Sequence, residues 1–481
     1  MVISGINLPT LVFRLAPGFR FLEAAAALLP FEMRKFHVLN RGAVYLLNYT
    51  AWNLICSAVP RVRPGDVRPR THGTCFASKI SLWKDSQMFS VRKSLSVFAL
   101  SLFLLPSVTK AQHYAQKNLV SDVSQPNNAD GTKVLVDPNL KNPWGLTRSS
   151  GSPFWIGNNN SGTSSLYGGA GNAINIFTEA GGVPGNFVIV PPPGFAPGTQ
   201  STPTGVVFNG SKTDFLLDKG TPAGLPAAFI FATEDGTIAG WNAGANLATG
   251  AKPPSINAVL EVDNSEKGGP NGAVYKGATS GEINGHRFLY VTNFRKARVE
   301  VYDTNFKPAN LGEEAFEAEE IPHGFAPFNI QNIGGTLFVT YAKQDPARHD
   351  DVAGDGLGFV EIFTPAGKHI GHLQHGPWFN SPWGVVWTTR DFGEFSNAIL
   401  VGNFGSGKIA AFNGFTYKFI GFVRNPDDSI LTIDGLWSLT FGNDANAGPA
   451  NTLFFTAGIN GEQDGLFGTI TPVDGLDGDE E

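Results

Sequence analysis

The chain has 481 residues, 16% of them charged, with 58 Gly and 38 Phe, a composition that favours strands and tight turns over helix and excludes an intrinsically disordered chain. Net charge is −6, and residues 1–87 hold eleven Lys and Arg against four Asp and Glu, which leaves −13 for the rest. So mildly acidic a body gives no electrostatic footing for nucleic acid, and with Cys56 and Cys75 both before residue 88 it has no disulfide, thiol nucleophile or thiolate metal site.

In chain order, residues 1–87 lack sustained periodicity and differ in composition from everything after them. Met88 then opens a segment with Arg92 and Lys93, an apolar run Leu95–Leu105, Pro106, and small residues at Thr109 and Ala111 around Lys110. This is the layout of a secretory signal peptide over 88–111, too short for a comfortable membrane span. Two readings of 1–87 follow: an extension ahead of a membrane anchor, or a mis-assigned start or disordered segment upstream of Met88. The change in composition favours the second. Mature protein would begin near Gln112 and be secreted, periplasmic or displayed at the cell surface, with no stable membrane insertion.

From Gln112 onward the sequence repeats, and repeats outrank isolated motifs as fold signals. Asn142-Pro143-Trp144-Gly145-Leu146 recurs as Ser381-Pro382-Trp383-Gly384-Val385. Weaker copies are Thr202-Pro203-Thr204-Gly205-Val206, Ala326-Pro327-Phe328-Asn329-Ile330 and Asp434-Gly435-Leu436-Trp437. A second, apolar motif starts at Phe154, Phe229, Phe288, Leu337, Ile399 and Leu453, and is followed by alternating strands such as Thr237–Trp241 and Arg298–Tyr302. Each unit reads as a four-stranded antiparallel meander, which covers both its faces only by radial stacking against neighbours. The predicted fold is all-β, a six-bladed β-propeller over 112–472, with an acidic tail at 473–481. A β-sandwich is the main rival, and six similar meanders count against it. Lys117–Asp122 is expected to close the ring by pairing with the last blade, which hides both edges. A closed ring needs no partner, so a monomer is expected.

The repeat resembles the NHL-type and TolB-like six-bladed propellers. More closely, the segments Phe325–Asn332, Tyr341-Ala342-Lys343-Gln344-Asp345, His349–Gly354, Ile433–Trp437 and Leu453–Gly458 resemble an uncharacterised family of secreted bacterial propeller proteins. The resemblance covers Asn118–Pro472 and implies the fold and export. It implies no activity.

Two polar groups carry candidate chemistry. The first is the loop of Lys343, Asp345, His349, Asp350, Asp351 and Asp355, rich enough in oxygen ligands for a hard cation; the plainer reading is a solvated loop whose carboxylates cap turns. The second is the set of polar residues after each second strand: Asn158 and Asn159, Glu234 and Asp235, Asn293 and Arg295, Asn403, and Glu462 with Asp464. In a propeller such positions converge on one ring. Asn and Asp also favour left-handed turns, so Glu234 and Arg295, which are not turn formers, stand out. Resemblance to gluconolactonase-like propellers implies a calcium-dependent lactonase or esterase alternative, with a metal in the central channel and Asn142, Glu234, Asn329 and Asp434 in matching roles. No Gly-x-Ser-x-Gly or His-Glu-x-x-His element is present. The leading reading is therefore a non-catalytic binding scaffold for a small molecule, glycan or peptide, with Ca²⁺ the one cofactor to consider.

Overall fold

The computed structural model of the protein describes residues 112–474, apart from 179–183, 196–198, 218–223, 246, 248–252 and 319–320. The expectations for 1–87, for the signal peptide and for the tail beyond Asp474 lie outside the described residues. The last strand runs to Asp474, so the first two residues assigned to the tail belong to the sheet.

Six blades surround one axis. From the inner strand outward, blade one is Pro143–Thr147, Phe154–Asn158, Thr163–Tyr167 and Phe187–Ile189, and blade two is Pro203–Phe208, Phe229–Thr233, Thr237–Trp241 and Val259–Asp263. Blade three has three paired strands, Tyr275–Ile283, His286–Asn293 and Arg298–Tyr302. Blade four is Phe325–Ile333, Thr336–Lys343, Gly358–Phe363 and His369–His372, and blade five is Pro382–Trp387, Ala398–Asn403, Ile409–Asn413 and Phe419–Phe422. Blade six is Leu436–Phe441, Leu453–Ala457 and Leu466–Asp474, completed by Gln112–Ser121 from the other end of the chain. Each inner strand packs against the next, and the sixth against the first, so the ring is closed. The closing strand begins earlier than the expected Lys117 and pairs antiparallel from Gln112 opposite Asp474 to Ser121 opposite Leu466. Tyr114 on it donates its hydroxyl to the Phe392 carbonyl of blade five at 3.0 Å.

Burial follows the radial logic. One apolar cluster fills each of the six blade–blade interfaces, and a seventh sits in the channel, where Trp144, Phe328, Trp383 and Trp437 meet. Trp144 stacks on Trp437 at 3.6 Å between centroids, and Trp383 meets both edge-on. The repeat motif explains this. In every blade the inner strand bulges against its neighbour at the motif, and bulges re-aim side chains. The motif glycine lies where two inner strands come together: a Cβ on Gly145 would fall on the Thr204 carbonyl of blade two.

Register also exposes a copy the sequence conceals. The channel position taken by Trp144 in blade one is Thr204 in blade two, Phe328 in blade four, Trp383 in blade five and Trp437 in blade six, all buried. In blade three the equivalent residue, just before Gly277, is Lys276, only 1% exposed.

Candidate functional site

An ammonium buried among aromatic rings must meet negative charge, because an isolated buried ion is prohibitively unfavourable. Lys276 Nζ bonds Glu234 Oε1 of blade two and lies 3.2 Å from Asp350 Oδ1 of blade four. It sits 5.0 Å from the centroid of Trp144 and 5.8 Å from that of Phe294, within cation–π range of both. Burial works against the charged form of Lys276, but Glu234 and Asp350 outweigh it and hold the pKa above the ordinary lysine value.

Around this pair the other blades add groups. Asn159 of blade one donates to Glu234 Oε2 at 2.7 Å. Asn142, whose φ of 42° places it in the left-handed region, donates to Glu462 Oε2 of blade six at 2.9 Å and accepts from Trp437 Nε1 at 3.1 Å. His349 Nδ1 lies 2.9 Å from Asp350 Oδ1. That bond raises the His349 pKa and holds Asp350 well below the usual carboxylate range. Burial pushes Asp351, Asp235 and Glu462 up; Glu462 also feels the charge of Glu234 and Lys276, and Asp235 that of His349. Blades one, two, three, four and six thus contribute to one charged ring resting on the tryptophan floor. One donor in that floor, the indole N–H of Trp144, is buried without a partner.

The loop carrying His349 and Asp350 is held by its own sequence. Asp345 Oδ1 accepts from the backbone N–H of His349 at 2.8 Å and of Asp350 at 3.3 Å, and Gln344 bridges to Asp351 at its base. Asp345 is therefore the cap that positions the loop.

Of the residues singled out from sequence, Asn142, Asn159, Glu234, Asp235, His349, Asp350, Asp351 and Glu462 come together, and Asp345 positions their loop. The others go elsewhere. Arg295 donates to the Gly272 carbonyl at 3.0 Å. Lys343 lies over the Phe325 ring. Asp355 meets Asn380 at 3.4 Å. Asn329 donates to the Trp383 carbonyl at 2.8 Å, and Asp434 accepts from the Asn460 N–H at an exposed turn. The ring reading holds for Asn159, Glu234 and Glu462, whereas Asn158 bonds Thr163 and Ser165 across its own turn and Asn403 donates to the Lys408 carbonyl and accepts from the Asn380 N–H. Sequence reasoning missed Lys276, because the blade-three motif has neither proline nor an aromatic at the channel position.

A channel-bound Ca²⁺ fits this arrangement poorly. Oxygens of Glu234, Asp350 and a ring nitrogen of His349 do lie within 4.8 Å of one another, but the Lys276 ammonium sits against both carboxylates and repels a second cation there, and Asn329 and Asp434 turn away.

Strand order and ring closure define the chain as a six-bladed β-propeller with a charged ring at one end of a plugged channel. No protein-family model matches it. It is similar to two uncharacterised proteins of Acanthamoeba polyphaga mimivirus: R640, 33% identical over 268 residues, 55% of this chain and 46% of that protein, and R648, 28% identical over 346 residues, 70% of this chain and 76% of that protein. The chain spans less than half the length of R640. Among solved structures it resembles a streptogramin B lyase (TM-score 0.42, 13% identity, 76% of this chain and 100% of that one). It also resembles a protein of unknown function from Bacteroides thetaiotaomicron (TM-score 0.41, 8% identity, 75% and 76%).

Proposed function

We propose that the protein is an exported, non-catalytic binding module whose ligand docks on the charged ring at the channel mouth. One observation carries this reading: at the channel position where four blades bury an aromatic and blade two buries Thr204, blade three buries Lys276 against Glu234 and Asp350, so the fold keeps a charged centre within the plug. Carboxyl groups outnumber cations in the ring, and the amides of Asn142 and Asn159 flank it. Such a lining suits a small ligand presenting hydroxyl or amino groups, as the end of a glycan does. Export rests on the 88–111 segment. Every described rung of the closing strand lies at or after Gln112, so cleavage after Ala111 would keep all of those rungs. N-terminal sequencing of protein recovered outside the cytoplasm checks this, and an intact Met1 start would refute it.

The binding reading is tested by thermal shift with a panel of neutral sugars, amino sugars and polyamines. A ligand at about 100 times its dissociation constant adds roughly 2.7 kcal/mol to stability. The expected result is stabilisation by at least one class, lost in Glu462→Gln. If no class stabilises the protein, the binding reading fails. A gain with Ca²⁺ accompanied by lactone turnover would replace it with the hydrolase.

A further inference from the structure

We infer that blade four carries a second, independent site, a transition-metal centre made by Glu361, His369 and His372 on the rim of the propeller. The argument starts from strand parity. His369 and His372 are three apart in the outer strand, and in a regular strand they would point to opposite faces. Here the pairing runs Glu361 with His372, Ile362 with Gly371, then Phe363 with His369, leaving Ile370 as an extra residue. Directly opposed residues share a face, and so do residues two apart, so the bulge brings both imidazoles onto the face of Glu361. The ligand atoms of all three lie within 4.8 Å of one another. His369 Nε2 is 2.6 Å from Glu361 Oε2, and the glutamate side chain is only 3% exposed.

Blade five supplies the internal control. Its third and fourth strands pair as Ala410 with Phe422, Ala411 with Gly421 and Phe412 with Phe419, with the extra residue at Ile420. The bulge is the same, and so are the flanking Ile and Gly. At the three positions that share the face, however, blade five has Ala410, Phe419 and Phe422, packed as an apolar patch in which Phe412 and Phe422 both meet Phe419 edge-on. Blade four replaces all three at once with Glu361, His369 and His372, while Phe363, the counterpart of Phe412, keeps its edge-on contact, now with His369. A solvated surface would explain one polar replacement. Three, each a metal-ligand type and all on one face, match the two-imidazole, one-carboxylate set that holds Zn²⁺ with a fourth position for water. Imidazole disfavours Ca²⁺, which takes oxygen ligands.

The test is equilibrium dialysis of the chelator-treated full chain with Zn²⁺, and with Co²⁺ for its ligand-field absorption. One equivalent should bind, with Co²⁺ giving the intense bands of a tetrahedral site. Restoring the blade-five residue in His372→Phe, or removing charge in Glu361→Gln, should weaken Zn²⁺ by about 100-fold or more, since even outer-shell partners are worth 10–100-fold. His349→Ala, in the channel ring, should leave it unchanged, which separates this site from the one proposed above. His372 is exposed, so its variant should keep the fold, checked by circular dichroism. Absence of Zn²⁺ uptake, uptake indifferent to His372→Phe, or uptake lost in His349→Ala would each overturn the inference.

Discussion

Lys276 shows how one residue can set the character of a repeated scaffold. Its backbone does what the backbone of Trp144 or Trp383 does, and its carbonyl even accepts the Trp383 indole N–H at 3.1 Å. Only the side chain differs, and with it come Glu234 and Asp350. Removing one partner of a buried ion pair strands the other charge, at a cost of about 3–5 kcal/mol. Lys276→Met should therefore lower stability by that amount in urea denaturation, and Glu234→Gln in the same background should recover part of the loss. A Lys276→Met cost under about 1 kcal/mol would mean that Glu234 finds another cation. At this scale the sequence was legible where residue type argued against the plain reading. Glu234 stood out because glutamate does not make turns. Arg295 stood out for the same reason, yet its guanidinium serves a nearby carbonyl, because chain position alone does not say which way a long side chain leans. Lys276 was hidden by the reverse effect: a motif recognised by Pro and Trp loses its marker where both are replaced.

Elements were easier to read than residues, because each blade repeats the same hydrophobic pattern and the same turn. The second strands begin within two residues of the apolar motifs, and the alternating strands expected at Thr237–Trp241 and Arg298–Tyr302 are found at those residues. The bulges were not legible. A bulge is a relation between two strands, and nothing in either strand announces the extra residue. Their effect is concentrated at the motif glycines. At Gly384 of blade five, a Cβ would lie 2.6 Å from the Trp437 carbonyl oxygen and 3.1 Å from the Leu439 nitrogen. Both are backbone atoms of the next inner strand and cannot swing aside. Gly384→Ala should cost about 1–3 kcal/mol, the range for overpacking, and should disturb the Trp144–Trp437 stack, read as a change in tryptophan fluorescence. A variant as stable as wild type with unchanged fluorescence would show that the inner strands can spread.

At the scale of the whole molecule, the six interfaces are closed by large side chains, several of them tyrosines with a buried hydroxyl. Burial raises the pKa of Tyr114, Tyr167, Tyr275, Tyr290, Tyr302 and Tyr341, and nearby carboxylates add to it at Tyr114, Tyr167, Tyr275, Tyr302 and Tyr341. These residues are spread over several blades and the closing strand, so their ionisation reports on the ring rather than on one sheet. A tyrosine whose pKa is raised in the fold is protonated in both states below its unfolded value of about 10, and there it leaves stability unchanged. Above that value the unfolded chain releases its protons while the folded chain retains them. Stability must then fall as pH rises, by up to about 1.4 kcal/mol per pH unit for each such group. The tyrosines should therefore add no pH dependence to the urea midpoint up to about pH 10 and make it drop steeply beyond. The tyrosinate absorbance should rise together with loss of the β-sheet circular dichroism signal. If absorbance rose first, with the sheets intact, the hydroxyls would be reachable by solvent in the folded ring. The blade interfaces would then be looser than their packing indicates.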